Sequence, residues 1–238
     1  MSIDVLMITD GRQACFAETL RSAQANLHGS IDRWWVYCDT DDGDYITYLD
    51  RFVRSDGGVD EVFWHPRGRQ GFGGAIRYAW GKILADSAAT HLFHLEDDFT
   101  FNRPVNLDHL AVVLDTYPEI VQMALRRQPW NDAELAAGGV VELQPTEFTD
   151  TAADLMLPDG GIERFEWLEH RLFWTTNPSL IRTEFIAENP WPDSRHSEGI
   201  FTRRVLDRNP DARFGYWGAR ATGEWVHHIG ADRIGTGY

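Results

Sequence analysis

The sequence predicts an α/β domain with a mostly parallel sheet flanked by helices, and three observations carry that reading. Short apolar runs end abruptly in acids: Ile3 to Ile8 before Thr9-Asp10-Gly11, Trp34 to Cys38 before Asp39-Thr40-Asp41-Asp42, and His91 to Leu95 before Glu96-Asp97-Asp98. Runs of that kind, apolar without alternation, are strands covered on both faces. Helical spacing fills the intervals between them. The resulting order of strand, helix, strand, strand, helix, strand over roughly the first hundred residues is that of parallel units joined by crossovers.

Each element has its own justification. Phe16, Leu20, Ala23 and Leu27 recur on one face of a helix after the first strand. Glu61 to Trp64 is a third, short strand. Ile76, Trp80 and Ile83 mark a helix that follows the glycine-rich Gly68 to Gly74. Further on, Leu107 to Leu114 reads as helix and Ile120 to Leu125 as strand. Gln128 to Glu163 mixes Pro, Gly, Asp and Thr with no sustained period, as lids and binding loops do. Leu172 to Thr176 is strand-like and runs into Asn177-Pro178, where the pre-proline position enforces a turn. A helix from about Ser197 to Leu206, capped by Ser197 or Ser194, follows Asn189 to Asp193. Glu224 to Ile229 is the last strand candidate, before a glycine-rich end. No repeat or linker divides the chain, so residues 1–238 read as one domain.

Composition narrows the function classes. With 43% apolar and 25% charged residues the chain is an ordinary globular protein. Its 37 acids against 22 bases give a net charge of −15, which disfavours non-specific nucleic-acid binding. All the bases except Lys82 are arginine, so an anionic ligand here meets guanidinium forks. No stretch approaches the ~18 apolar residues of a membrane span, and Met1 to Asp10 reads as a strand rather than a signal peptide. Cys15 and Cys38 are too few for a disulfide framework and fit a reducing cytoplasm.

In parallel sheets, ligands bind beyond the carboxyl ends of the strands. Three predicted strands end there in acids: Asp10, Asp39 and Glu96-Asp97-Asp98. Three adjacent carboxylates repel one another unless a cation or donor groups compensate, and hard oxygen ligands favour magnesium or manganese. A solvated acidic turn or helix cap explains the same residues. The glycine run does not keep dinucleotide-fingerprint spacing, so it is not read as a nicotinamide site.

Together, Val5-Leu6-Met7-Ile8-Thr9-Asp10, Tyr37-Cys38-Asp39, Gly71-Phe72-Gly73-Gly74-Ala75-Ile76-Arg77 and His94-Leu95-Glu96-Asp97-Asp98 resemble the GT-A glycosyltransferases. The resemblance covers residues 3 to 100 well and Leu172 to Gly230 more loosely. It implies a Rossmann-like nucleotide-binding half of about residues 1–100, and an irregular acceptor-side half over 101–238. It also implies a nucleoside diphosphate sugar donor, a UDP-sugar above all, with Mn2+ or Mg2+ bridging its phosphates. The family motif is Asp-x-Asp, and Glu96 departs from it, leaving Asp98 as the surer metal ligand. On the same resemblance Thr9, Asp10, Asp39, Arg69, Arg77, Glu96 and Asp97 face the donor, with Arg67 nearby. Asp98, Glu96 and His228 (rather than His227) hold the metal. In inverting members an acid near a helix start is the base, which matches Glu198, with Asp193 in reserve. Among the 10 tryptophans, Trp130 and Trp191 are the candidate sugar platforms on the acceptor side.

Two rivals stand beside this reading. A nucleotidyltransferase making sugar nucleotides shares the Rossmann-like half, but Asp10-Gly11-Arg12-Gln13 lacks the glycine-rich loop expected after its first strand. A non-catalytic carbohydrate- or protein-binding module would use the acids as a cation site or cap. The acceptor stays open among a protein, a metabolite, a lipid-linked sugar and a modified base. Size and composition resemble small glycosyltransferases of actinobacterial and phage genomes, which implies a virion or host protein as acceptor and the host cytoplasm as the location.

Overall fold

The computed structural model describes residues 1–56, 58–194 and 196–230. The first part of the chain runs β1 (Ile3–Thr9), α1 (Gln13–Asn26), β2 (Leu27–His28), β3 (Ile31–Cys38), α2 (Gly43–Asp56), β4 (Glu61–Trp64), α3 (Gly71–Asp86) and β5 (His91–Glu96). There follow β6 (Phe99–Phe101), β7 (Val105–Asn106), α4 (Leu107–Thr116), β8 (Ile120–Ala124), α5 (Asp132–Ala137), α6 (Val140–Leu143), β9 (Thr149–Met156) and β10 (Ile162–His170). The chain continues with β11 (Ser179–Arg182), α7 (Thr183–Glu188), α8 (Ser197–Arg208), β12 (Arg213–Trp217) and β13 (Val226–His228).

Nine strands form one sheet in the order β4-β3-β1-β5-β11-β8-β12-β10-β9. The sheet is mostly parallel: β4, β3, β1, β5, β8, β12 and β9 run one way, and only β11 and β10 oppose them. One face packs Phe16 and Leu20 of α1, Leu49 of α2 and Leu110 and Val113 of α4 against Val5, Met7 and Phe93. The other packs Ile76 and Trp80 of α3, Ile186 of α7 and Phe201 of α8 against Leu6, Trp35 and Phe214. Burial on both faces is why β1, β3 and β5 read as unbroken apolar runs.

The departures from expectation have local causes. Helix α2 hides behind its acidic leader, yet Tyr45, Leu49 and Phe52 share a face, and Asp42 Oδ1 accepts from the main-chain N–H of Asp44 and Tyr45. Residues 172–176 are not a strand. Their main chain bonds to side chains instead: Trp174 N–H donates to Thr202 Oγ1 (2.8 Å), and Gln122 holds both the N–H and the carbonyl of Thr175. The irregular Gln128 to Glu163 contains α5, α6 and the strand β9, whose Thr-Asp-Thr-Ala-Ala-Asp faces solvent and carries little hydrophobic period. At the start of α8 the N-cap is His196, with no side-chain cap, and Ser194 Oγ accepts from the His196 N–H (3.3 Å). The glycine-rich end beyond Gly230 lies outside the described residues.

Trp191 is a correction of a different kind. It is 2% exposed and packs against Trp80 (5.2 Å between rings), Trp174 and Phe201 (4.6 Å). A ring enclosed by three others has no face to offer a sugar, so Trp191 belongs to the core. Trp191→Ala is expected to lower unfolding stability by about 3–5 kcal/mol in a denaturant titration.

Candidate active site

Parallel pairing brings the acids together. Ile8 lies opposite Glu96, and the Asp97 N–H donates to the Ile8 carbonyl (3.0 Å), so the chains leaving β1 and β5 emerge side by side. Thr9 Oγ1 donates to Asp97 Oδ2 (2.6 Å) and meets the Tyr45 hydroxyl, while Thr19 Oγ1 donates to the Asp97 carbonyl (2.8 Å). The compensating charge is Arg12, just ahead of α1. Its Nε donates to Asp10 Oδ1 (2.7 Å), Nη2 to Asp97 Oδ1 (2.5 Å) and Nη1 to Asp98 Oδ2 (2.7 Å). The sequence reading passed over this residue, although it is the base closest in sequence to Asp10.

Ribbon pairing of β13 with β6 sets His228 opposite Phe99, and the Ile229 N–H donates to the Asp98 carbonyl (2.8 Å). Gln128 grips the His228 main chain from both sides, accepting from its N–H (2.8 Å) and donating to its carbonyl (2.9 Å). His228 Nε2 thereby stands 3.0 Å from Asp98 Oδ2, while His227 points to solvent. Trp130, 42% exposed, sets its ring edge-on to His228 at 4.3 Å, and Arg127 lies over that ring.

One guanidinium cannot neutralise three carboxylates. Burial pushes Asp97 up to about 7 against the pull of Arg12. Burial acts on Asp98 in the same direction, but the hydrogen bond from His228 and the charge of Arg12 outweigh it and hold this carboxyl below its ordinary value. Burial also opposes the charge on Arg12; Asp97, Asp98 and Asp10 overcome it and keep the guanidinium protonated.

A cleft opens beside the cluster, lined by Ile8, Phe72, Ala75 and Ile76 on an apolar wall and by Asp10, Arg12, Asp39, Arg69, Glu96 and Asp97. Asp39 is buried and anchors the loop before α3, accepting from the N–H groups of Gln70 (2.7 Å) and Gly71 (2.8 Å) and from the Tyr37 hydroxyl. Its carboxyl is raised by burial, and those donors restrain the rise. Arg69 reaches 3.9 Å from Asp39 at the cleft. Arg77 does not join it. It projects from another side of α3 into an outer groove with His65, Arg67 and Asp193, because at about 100° per residue Arg77 is turned well away from Phe72, Ala75 and Ile76, which line the cleft. Asp193 is exposed in that groove and likewise stands apart from the cleft.

Glu198 lies in the first turn of α8. Thr176 holds it: both the N–H (2.9 Å) and the hydroxyl (3.1 Å) of Thr176 donate to Glu198 Oε1. The Thr176 side chain also meets Glu96, whose carboxyl is raised well above its usual range by burial and by the charges of Asp98 and Glu198. Thr176 is a second residue the sequence reading missed, since only tertiary contact pairs it with an acid 22 positions away.

Among the described residues no group of three or more His, Cys, Asp or Glu side chains is placed to hold a metal ion. Glu96, which Thr176 meets, does not join Asp98 and His228 in such a group. Asp98 and His228 stand together, each with a buried polar atom that has no hydrogen-bond partner among the described residues, Asp98 Oδ1 and His228 Nδ1. A carboxylate and an imidazole are donors that suit a divalent cation, and these two residues would hold one.

No protein-family model and no curated protein matches the sequence. Solved structures do match in fold. Residues 1–349 of S. aureus TarS in complex with UDP superpose with a TM-score of 0.62 at 15% identity, over 95% of this chain and 60% of that one. GalNAc-T7 with UDP, GalNAc and Mn2+ gives 0.63 at 11%, over 96% and 44%. The mannosyltransferase PcManGT from Pyrobaculum calidifontis, with GDP-Man and Mn2+, gives 0.60 at 8%, over 97% and 57%. The fold is therefore that of the GT-A glycosyltransferases, and the chain spans 60% or less of the length of these three structures. Among the described residues no helix is long and apolar enough to cross a membrane.

The raised carboxyl of Asp97 has a pH signature. Its folded value lies above the ordinary value near 4, so the stability it confers is complete below about pH 4 and lost as pH rises through about 7. Thermal melts across this range are expected to show Asp97→Asn gaining on the wild type as pH rises, with the gain levelling off above about 7.

Proposed function

We propose that the protein transfers a sugar from a nucleoside diphosphate sugar, a UDP-sugar, to an acceptor hydroxyl. The observation that carries this reading is a cleft with an apolar wall, Arg12 and Glu96 in its lining, the buried Asp98 and His228 pair bonded to Arg12 beside it, and Glu198 held by Thr176. The GT-A fold and the UDP held by TarS and GalNAc-T7 support it.

The apolar wall of Ile8, Phe72 and Ile76 would shelter the base, and Arg12 and Arg69 would meet the phosphates. Asp98 and His228 would hold a divalent cation, manganese or magnesium, which supplies charge stabilisation to the departing diphosphate. Thr176 keeps Glu198 oriented to accept the proton of the acceptor hydroxyl. The acceptor oxygen forms its bond to the anomeric carbon, and the bond from that carbon to the diphosphate breaks with its electron pair leaving on the phosphate oxygen. Attack opposite the leaving group inverts the anomeric centre. Trp130, exposed beside His228, would offer its ring to a sugar.

Thermal-shift titration with UDP, GDP, CDP, ADP and dTDP, each with Mn2+ or a chelator, tests the donor reading. UDP with Mn2+ is expected to stabilise the wild type by about 2.7 kcal/mol at a hundred times its dissociation constant, and Asp98→Ala is expected to abolish the metal-dependent part. A well-folded sample that responds to no nucleotide would overturn the reading in favour of a sugar-binding module. Glu198→Gln is expected to keep nucleotide binding and to lower turnover about 10²- to 10⁴-fold, measured as UDP release from the UDP-sugar with its acceptor.

A further inference from the structure

Arg12 already holds the carboxylate at which a cation would bind. Its Nη1 is 2.7 Å from Asp98 Oδ2, and His228 Nε2 is 3.0 Å from that same oxygen. A cation at this buried carboxylate, whether on Oδ2 beside His228 or on the unpartnered Oδ1, lies close to the guanidinium, and two positive groups crowded on one buried carboxylate repel. Gly230 closes the side behind: a Cβ there would collide with Asp98 Oδ2 and lie 2.8 Å from Arg12 Nη1. The open direction for Arg12 is the cleft, which it lines together with Asp39 and Arg69.

We propose that Arg12 is a built-in competitor for the metal, and that it hands its charge from Asp98 to the diphosphate when a donor binds. Without a donor, the guanidinium occupies the carboxylates and keeps cation binding weak. With a nucleoside diphosphate in the cleft, the anion takes up the guanidinium and Asp98 is released to the cation. Cation and nucleotide therefore bind cooperatively, and by linkage each tightens the other by the same factor. This inference rests on the cation site and donor reading proposed above.

The test is a Mn2+ titration followed by electron paramagnetic resonance of the free ion, first on protein without nucleotide and then with UDP. In Arg12→Gln, nucleotide-free protein is expected to bind Mn2+ at least about tenfold more tightly than wild type, and the enhancement by UDP, about 5- to 150-fold for a typical coupling, is expected to shrink. An unchanged or weaker Mn2+ affinity in the variant overturns the proposal, as does an undiminished enhancement by UDP. If circular dichroism shows that Arg12→Gln does not fold, Arg12→Lys takes its place. One ammonium cannot bridge Asp10, Asp97 and Asp98 at once, so the same two changes are expected in smaller degree and their absence is equally decisive. The nucleotide-free titration involves neither UDP nor sugar. A protein that binds no UDP but whose Mn2+ affinity rises on loss of Arg12 would overturn the proposed function and leave the competition for Asp98 standing.

Discussion

A single guanidinium set against three carboxylates is the constraint around which this end of the molecule is organised. Asp97 and Asp98 are buried, at 0% and 2% exposure, and buried like charges are tolerated only with compensation close at hand. Arg12 provides it from just ahead of α1, which fixes where that helix begins relative to the ends of β1 and β5. The same cluster draws in the far end of the chain: His228 meets Asp98 Oδ2, and Gly230 is needed because no side chain fits beside Asp98 and Arg12. Segments more than a hundred residues apart are thus tied at one point by charge.

The arrangement also distributes charge unevenly within the motif. Asp97 is enclosed by Thr9, Thr19 and Arg12, and its part is to hold Arg12 and the strand ends in place. Asp98 meets the buried imidazole of His228, and Glu96 meets Thr176. Three successive residues therefore address three different elements, as side chains do where a strand gives way to a turn. The acids after β3 are equally specific. Asp39 and Asp41 hold the loop that leads into α3, and Asp42 caps α2, so a stretch that resembles a solvated acidic loop consists of anchors.

Much of the first half of the fold was legible because its strands are buried on both faces and its acids mark their carboxyl ends. The sequence put Asp10, Asp97 and Asp98 alike at the carboxyl ends of strands, and the alternation of side chains along a strand implied that His227 and His228 face opposite ways. Arg12 was not legible, since a lone arginine in a turn looks the same whether it meets solvent or three carboxylates. The Thr176–Glu198 contact, the passage of Arg77 to the outer side of α3 and the burial of Trp191 were equally hidden.

The sequence by itself determined the α/β class, the strand ends and the chemistry on offer there, because local hydrophobic patterning reports burial and because acids at strand ends are local events. Tertiary structure decided which groups meet: Arg12 with the acids, His228 with Asp98, Glu198 with Thr176, Trp191 with Trp80. Those pairings depend on where helices pack across a sheet and where a late ribbon returns. Both are set by the summed burial of distant side chains, for which a single sequence carries no local signal.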